Sequence, residues 1–176
     1  WPGYDYTSAG WYHVVICTQS RACVLGRIRD GVMGLSRAGC VASTAWPETV
    51  SRYDRAITDV YIVMPNHVHL IVGILPSDPS VETRRGASLP QDDAAPRQFG
   101  PLRKHSLSSI INHYKGRVTK RIRRSGIVPD FAWQRRFYDR VIRNERERRA
   151  LRQYVLDNPL KWHLDRLHPD RPHHPK

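Results

Sequence analysis

The chain has 176 residues, 40% of them hydrophobic, enough apolar mass for one domain with a buried core and too much for wholesale disorder. Its 29 Lys and Arg outnumber 16 Asp and Glu, and the net charge of +13 argues against a neutral metabolic enzyme and for a polyanionic partner, nucleic acid or a membrane surface. The three cysteines form no Cys-x-x-Cys pair and indicate neither a disulfide scaffold nor a zinc finger, so a reducing, cytoplasmic setting is expected. No apolar run is long enough to cross a bilayer, and no membrane partner is expected. The sequence shows no secretory signal pattern and opens at Trp1 rather than Met, so further residues are expected upstream.

Trp11 to Ile16, aromatic and β-branched, predicts a first strand. Ala22 to Ile28 and Val32 to Leu35 read as a hairpin turned by Arg29-Asp30-Gly31. Ser36 caps a helix that runs toward Tyr53, with Pro47 expected to kink it or reset its start. The apolar stretch from Asp59 to Ile74 is broken by Met64-Pro65-Asn66, giving two short strands or one bent strand. From about 76 to 101 the apolar period is lost and a long mobile loop is expected. Leu107, Ile110, Ile111, Tyr114, Val118 and Ile122 then recur at helical spacing, in a helix ended by Gly126 and Pro129. Phe131 to Ile142 reads as another strand. A final helix opens at Asn144 with Glu147 three residues on, as in a capping box, and stops before Pro159. This order predicts an α+β domain over residues 1–166, an antiparallel sheet with helices packed on it, and a disordered tail over 167–176.

His67-Val68-His69 carries the strongest chemical signal. Residues i and i+2 of a strand project from one face, so both imidazoles can reach one divalent ion at about 2.0–2.2 Å. Isolated histidine pairs are more often merely solvated, but here Pro65-Asn66 breaks the chain just before the pair, and such breaks beside a sheet commonly aim functional groups. Ile71 stands where a histidine-triad hydrolase needs a third histidine. The chain is also too short for the barrel of a metal-dependent amidohydrolase.

On the last helix Tyr154 and Asn158 lie at i and i+4, on one face, with Leu151 and Val155 marking the buried stripe. An amide oxygen at 158 can serve as a third ligand to a cation held by His67 and His69. A phenol with a pKa near 10 needs such a cation or a base nearby to act as a nucleophile.

Four blocks occur in order: Met64-Pro65-Asn66-His67-Val68-His69-Leu70-Ile71, Trp133-Gln134-Arg135-Arg136-Phe137-Tyr138, Ile142-Arg143-Asn144-Glu145 and Tyr154-Val155-Leu156-Asp157-Asn158-Pro159. Together, over roughly Tyr12 to Trp162, the chain resembles the HUH-type single-tyrosine transposases of the group associated with repetitive extragenic palindromes (REP). The resemblance implies a ferredoxin-like or RRM-like sheet crossed on one face by a C-terminal tyrosine-bearing helix. It implies Tyr154 as nucleophile, His67, His69 and Asn158 as ligands of Mg²⁺ or Mn²⁺, and single-stranded DNA with hairpin structure as partner of a monomer or homodimer. The implied reaction is cleavage and strand transfer beside the hairpin, through a 5′-phosphotyrosine link.

Nearly all the cationic charge is arginine, suited to bidentate phosphate contact. Lys115, Arg117, Lys120 and Arg121 on the basic helix, and Trp133, Arg135, Arg136 and Arg140 leading toward the tyrosine, are the expected nucleic-acid contacts. The competing reading is a non-catalytic module that binds single-stranded nucleic acid on the same fold, with steep salt dependence and no covalent adduct.

Overall fold

The computed structural model describes residues 9–76 and 106–171. Strand β1 (Gly10–Cys17) leads into a two-stranded ribbon, β2 (Gly26–Arg29) and β3 (Val32–Leu35), and then into helix α1 (Arg37–Val50). A hairpin of β4 (Ala56–Val63) and β5 (His67–Ile74) follows, then α2 (Leu107–Arg124), β6 (Tyr138–Ile142) and α3 (Glu145–Asp157). The main sheet has the order β4-β5-β1-β6 with every neighbouring pair antiparallel. Two interleaved βαβ units give this order, the ferredoxin-like arrangement, and α3 is added after the last strand.

Alternation along β1 and β5 assigns the two faces. Tyr12, Val14 and Ile16 of β1 and Val68, Leu70 and Val72 of β5 are fully buried on one face. Against them pack Ala38, Ala42, Ala45 and Trp46 of α1 and the Leu107-to-Ile122 stripe of α2. The opposite face carries His13, His67, His69 and Ile71, and here a smaller core of Ile71, Ile142 and Val155, flanked by Trp11, Val60, Ile62 and Leu151, seats α3. Helices on both sides bury all eight residues of β5.

Side-chain caps start each helix. Ser36 Oγ accepts from Gly39 N at 3.1 Å, Ser106 Oγ from Ser109 N at 3.2 Å, and Asn144 Oδ1 from Glu147 N at 2.8 Å. The Glu147 carboxylate reaches back to Arg143 N at 2.9 Å, one residue before the reciprocal partner a capping box uses. Pro47 lies inside α1 and does not reset its start.

Two expectations are revised, and one left open between two readings is resolved. Only Tyr138–Ile142 of the stretch from Phe131 forms a strand. Phe131 and Trp133 instead plug the core at the end of β1, held by Gln19 N to Ala132 O at 2.8 Å and Gln134 N to Cys17 O at 2.9 Å. Aromatic residues that fill a core corner and those of a pleated surface have the same composition, so composition could not separate them. Second, the apolar run takes the first of its two expected readings, two strands joined at Met64-Pro65-Asn66, which forms the turn of a hairpin. Third, the tail begins later than 167, since the Leu167 carbonyl accepts from Asn66 Nδ2 at 2.7 Å. The loop expected at 76–101 lies outside the described residues beyond Pro76, as does the tail from 172.

Candidate active site

The β4–β5 turn is a polar clamp. Its Asn66 is fully buried: the side-chain NH₂ donates to Leu167 O, while Oδ1 faces His67 Nδ1 at 2.8 Å. The Asn66 carbonyl accepts from both the backbone N and Oγ1 of Thr18, at 2.9 and 3.0 Å. This fixes the ring of His67 at the first residue of β5. The His67 Nε2 lies 2.9 Å from His69 Nε2, the separation of two neighbouring donors each about 2.1 Å from one ion.

Asp165 completes the cluster. It follows a short 3₁₀ turn, Trp162–Leu164, beyond α3, and its Oδ2 is 3.9 Å from His67 Nε2. Ligand atoms of His67, His69 and Asp165 all lie within 4.8 Å of one another. Sequence reasoning missed Asp165, because a lone acid past the end of a helix carries no periodicity or motif. The available signal was a carboxylate close after the tyrosine block in a strongly basic chain. Asn158, the ligand expected from the sequence, is 4% exposed at the C-terminus of α3, and its Oδ1 has no hydrogen-bond partner. Asp165 Oδ2 is orphaned in the same way, although Oδ1 accepts from Leu167 N at 2.6 Å. A buried polar atom without a partner costs about 1–3 kcal/mol, more if charged. The orphaned Asp165 oxygen beside two imidazoles forms a donor set that fits a divalent cation.

Burial holds the imidazoles neutral, as ligation requires. Burial first, then the Arg21 guanidinium, pushes His67 down to about 3. Burial, with His67 and His13 adding to it, holds His69 well below the ordinary imidazole value. Tyr154 projects from α3 toward this cluster, edge-on to His69 with ring centroids 5.7 Å apart, and is 47% exposed. Partial burial and then the Asp165 carboxylate raise its phenol above the ordinary value, opposed by a hydrogen bond from the Asn158 side chain and by the charge of Arg166. The structure thus brings Tyr154, His67, His69 and Asn158 onto one side of the sheet, with a half-open phenol next to buried nitrogens.

The expected nucleic-acid contacts are more scattered. Arg117 and Arg121 pair with Glu48, Lys115 Nζ is bound to the carbonyls of Gln134 and Arg135, and Arg140 pairs with Glu147. Arg135, Arg136 and Lys120 are exposed, and an open groove of about 500 Å³ runs between α2 and residues 132–135, lined by Lys115, Lys120, Arg123 and Arg135. Trp133 does not offer a ring face to a base, because it is 7% exposed between Tyr114 and Phe131. Tyr138, 60% exposed and in register with Val15 and His69, presents the open aromatic ring on the histidine face.

No protein-family model matches the chain. A Haemophilus influenzae protein of uncharacterised function is 28% identical over 167 residues, 95% of this chain and 89% of its own. Among solved structures, a REP-associated tyrosine transposase bound to a REP hairpin is similar with a TM-score of 0.54 and 16% identity, over 87% of this chain and 68% of its own. A candidate transposase of Deinococcus radiodurans gives a TM-score of 0.47 and 16% identity, over 89% of this chain and 95% of its own. The chain therefore has the α+β fold of the REP-associated tyrosine transposase, an antiparallel four-stranded sheet with helices on both faces.

Proposed function

We propose that the chain cleaves and rejoins single-stranded DNA beside a hairpin, with Tyr154 as nucleophile and Mg²⁺ or Mn²⁺ held by His67 and His69. The observation that carries this reading is the convergence of two neutral imidazoles and the unpaired Asp165 oxygen next to a half-exposed phenol. Asp165 is the third ligand in this proposal, and the Asn158 amide oxygen is a fourth donor. Nitrogen donors suit Mn²⁺ at least as well as Mg²⁺. Likeness of fold to a protein solved with a REP hairpin supports hairpin DNA as the substrate class.

In the reaction the Tyr154 Oη–phosphorus bond forms as the bond from phosphorus to the 3′ oxygen breaks. The phenol proton passes to solvent, and the departing 3′ oxygen takes one up. One phosphodiester replaces another, so the reverse step needs no ATP. A bound divalent cation supplies positive charge against the charge that builds on the phosphate. The chain's own residues set the stage: His67 and His69 are held neutral, Asn158 hydrogen-bonds the phenol, and burial with the Asp165 charge raises the phenol above its ordinary value, an effect that a cation at the site would oppose. Lys115, Lys120, Arg135 and Arg136 provide backbone contacts, Arg117, Arg121 and Arg140 can add to them by exchanging their acidic partners for phosphate, and Tyr138 provides a stacking face.

Labelled hairpin oligonucleotides incubated with Mn²⁺ and the wild-type chain should yield a denaturation-resistant protein–DNA species. Tyr154→Phe should yield none while binding the hairpin as before, since only the attacking oxygen is lost. An adduct from the Phe variant, or adduct formation in EDTA, would sink the assignment. Binding with no adduct from the wild type would leave the non-catalytic module.

A further inference from the structure

A third imidazole joins the histidine pair from the neighbouring strand. His13 on β1 sits diagonally across from His69, its Nε2 3.1 Å from His69 Nδ1 and its ring within 14° of parallel to that of His69, with centroids 5.2 Å apart. The donor and acceptor roles along this row follow from its fixed end. Leu167 O can only accept, so the Asn66 NH₂ must face it and Oδ1 must face His67. A neutral His67 therefore carries its proton on Nδ1 and turns a bare Nε2 toward His69.

The 2.9 Å contact between the two Nε2 atoms needs one proton in the metal-free chain, and His69 must supply it. His69 Nδ1 is then bare and accepts from His13 Nε2–H. A cation requires the reverse, with His69 Nε2 bare and its proton on Nδ1, donated to a His13 whose own proton has moved to Nδ1. We propose that His13 is a positioning residue that switches from donor to acceptor and thereby selects the ligating tautomer of His69. The protons balance: His13 Nε2–H passes to His69 Nδ1, the His69 Nε2 proton leaves to water, and His13 Nδ1 takes one from water. Only a side chain able to play both roles serves both states. This rests on the metal reading above.

The test is binding of Mn²⁺ alone to the full chain, measured by calorimetry. His13→Phe, which keeps an aromatic ring beside His69 but no ring nitrogen, should weaken Mn²⁺ binding about 10–100-fold. His13→Gln, whose amide can donate or accept near the position of Nε2, should recover most of the affinity. Wild-type affinity in the Phe variant, or failure of Gln to restore it in a variant that melts like the wild type, overturns the role of His13. Independently of folding, ¹⁵N spectra of the wild-type chain should show the His69 proton on Nε2 without metal and on Nδ1 with diamagnetic Zn²⁺. An unchanged tautomer overturns the proposal. Failure of the metal reading itself looks different: the wild type binds no Mn²⁺, or His69→Ala binds it equally well.

Discussion

Asp165 has two effects that oppose each other in the metal-free chain. Its unpaired Oδ2 is available to a cation, and its negative charge adds to burial in raising the Tyr154 phenol above its ordinary value. Asp165→Asn keeps the side-chain volume and removes the charge. The expected outcome is a lower Tyr154 pKa in the metal-free chain, followed by the phenol carbon shift in a pH titration. The same variant should lose at least about tenfold in Mn²⁺ affinity, equal to 1.4 kcal/mol. A shift in the phenol without a loss of affinity would remove Asp165 from the ligand set and leave Asn158 as third donor. Unlike His67 and His69, whose spacing on a strand announces a shared face, Asp165 reaches the site only because the chain turns back after α3. No local pattern in sequence encodes that return.

At the level of elements, α3 is tied down by features that lie far apart in sequence. A register irregularity between Thr58 and Val60 places Asp59 in a kink of edge strand β4, and its nearly buried carboxylate pairs with Arg152 and, at 3.9 Å, with Arg148. The Arg148 guanidinium also lies 4.4 Å above the ring of Trp11. Trp11 in turn needs Gly73, where a Cβ would come within 3.2 Å of its ring and 2.9 Å of Ile57. Asp59→Asn is expected to slow adduct formation by up to about 100-fold, because small misplacements of a nucleophile are costly. Hairpin affinity and the melting of the main core should change little, since that core lies on the other face of the sheet. Rapid-quench kinetics of the covalent species, alongside binding, would check this. Of these elements, α2 was fully legible from its apolar stripe and the β2–β3 ribbon from Asp30-Gly31. The seat of α3 was not legible, because a strand kink and a cross-sheet ion pair leave no mark on hydrophobic period. Trp133 misled for a related reason: an aromatic among arginines looks like a stacking platform until tertiary packing buries it.

Over the whole molecule, a net charge of +13 would make the proposed DNA binding depend on salt, but individual cations differ in what they can add. Arg117 and Arg121 already share Glu48, whereas Lys120, Arg135 and Arg136 face solvent. Replacing Arg135 or Arg136 by Ala should flatten the plot of log affinity against log salt by about 0.7–0.9 per lost phosphate contact. Arg117→Ala should flatten it less, because its charge is partly compensated in the free protein. Hairpin titrations between low and moderate salt would separate the two groups.

Among the described residues, Tyr154 alone sets a phenol edge against the histidine cluster, from the same chain that supplies the imidazoles. On the proposed chemistry, one copy can therefore hold one severed strand at a time. Releasing a segment from its flanks takes two cuts, so it must enlist two copies together or one copy twice, with the first junction resealed before the second opens. The ratio of captured ends to protein, counted when the reaction stalls, can never exceed one.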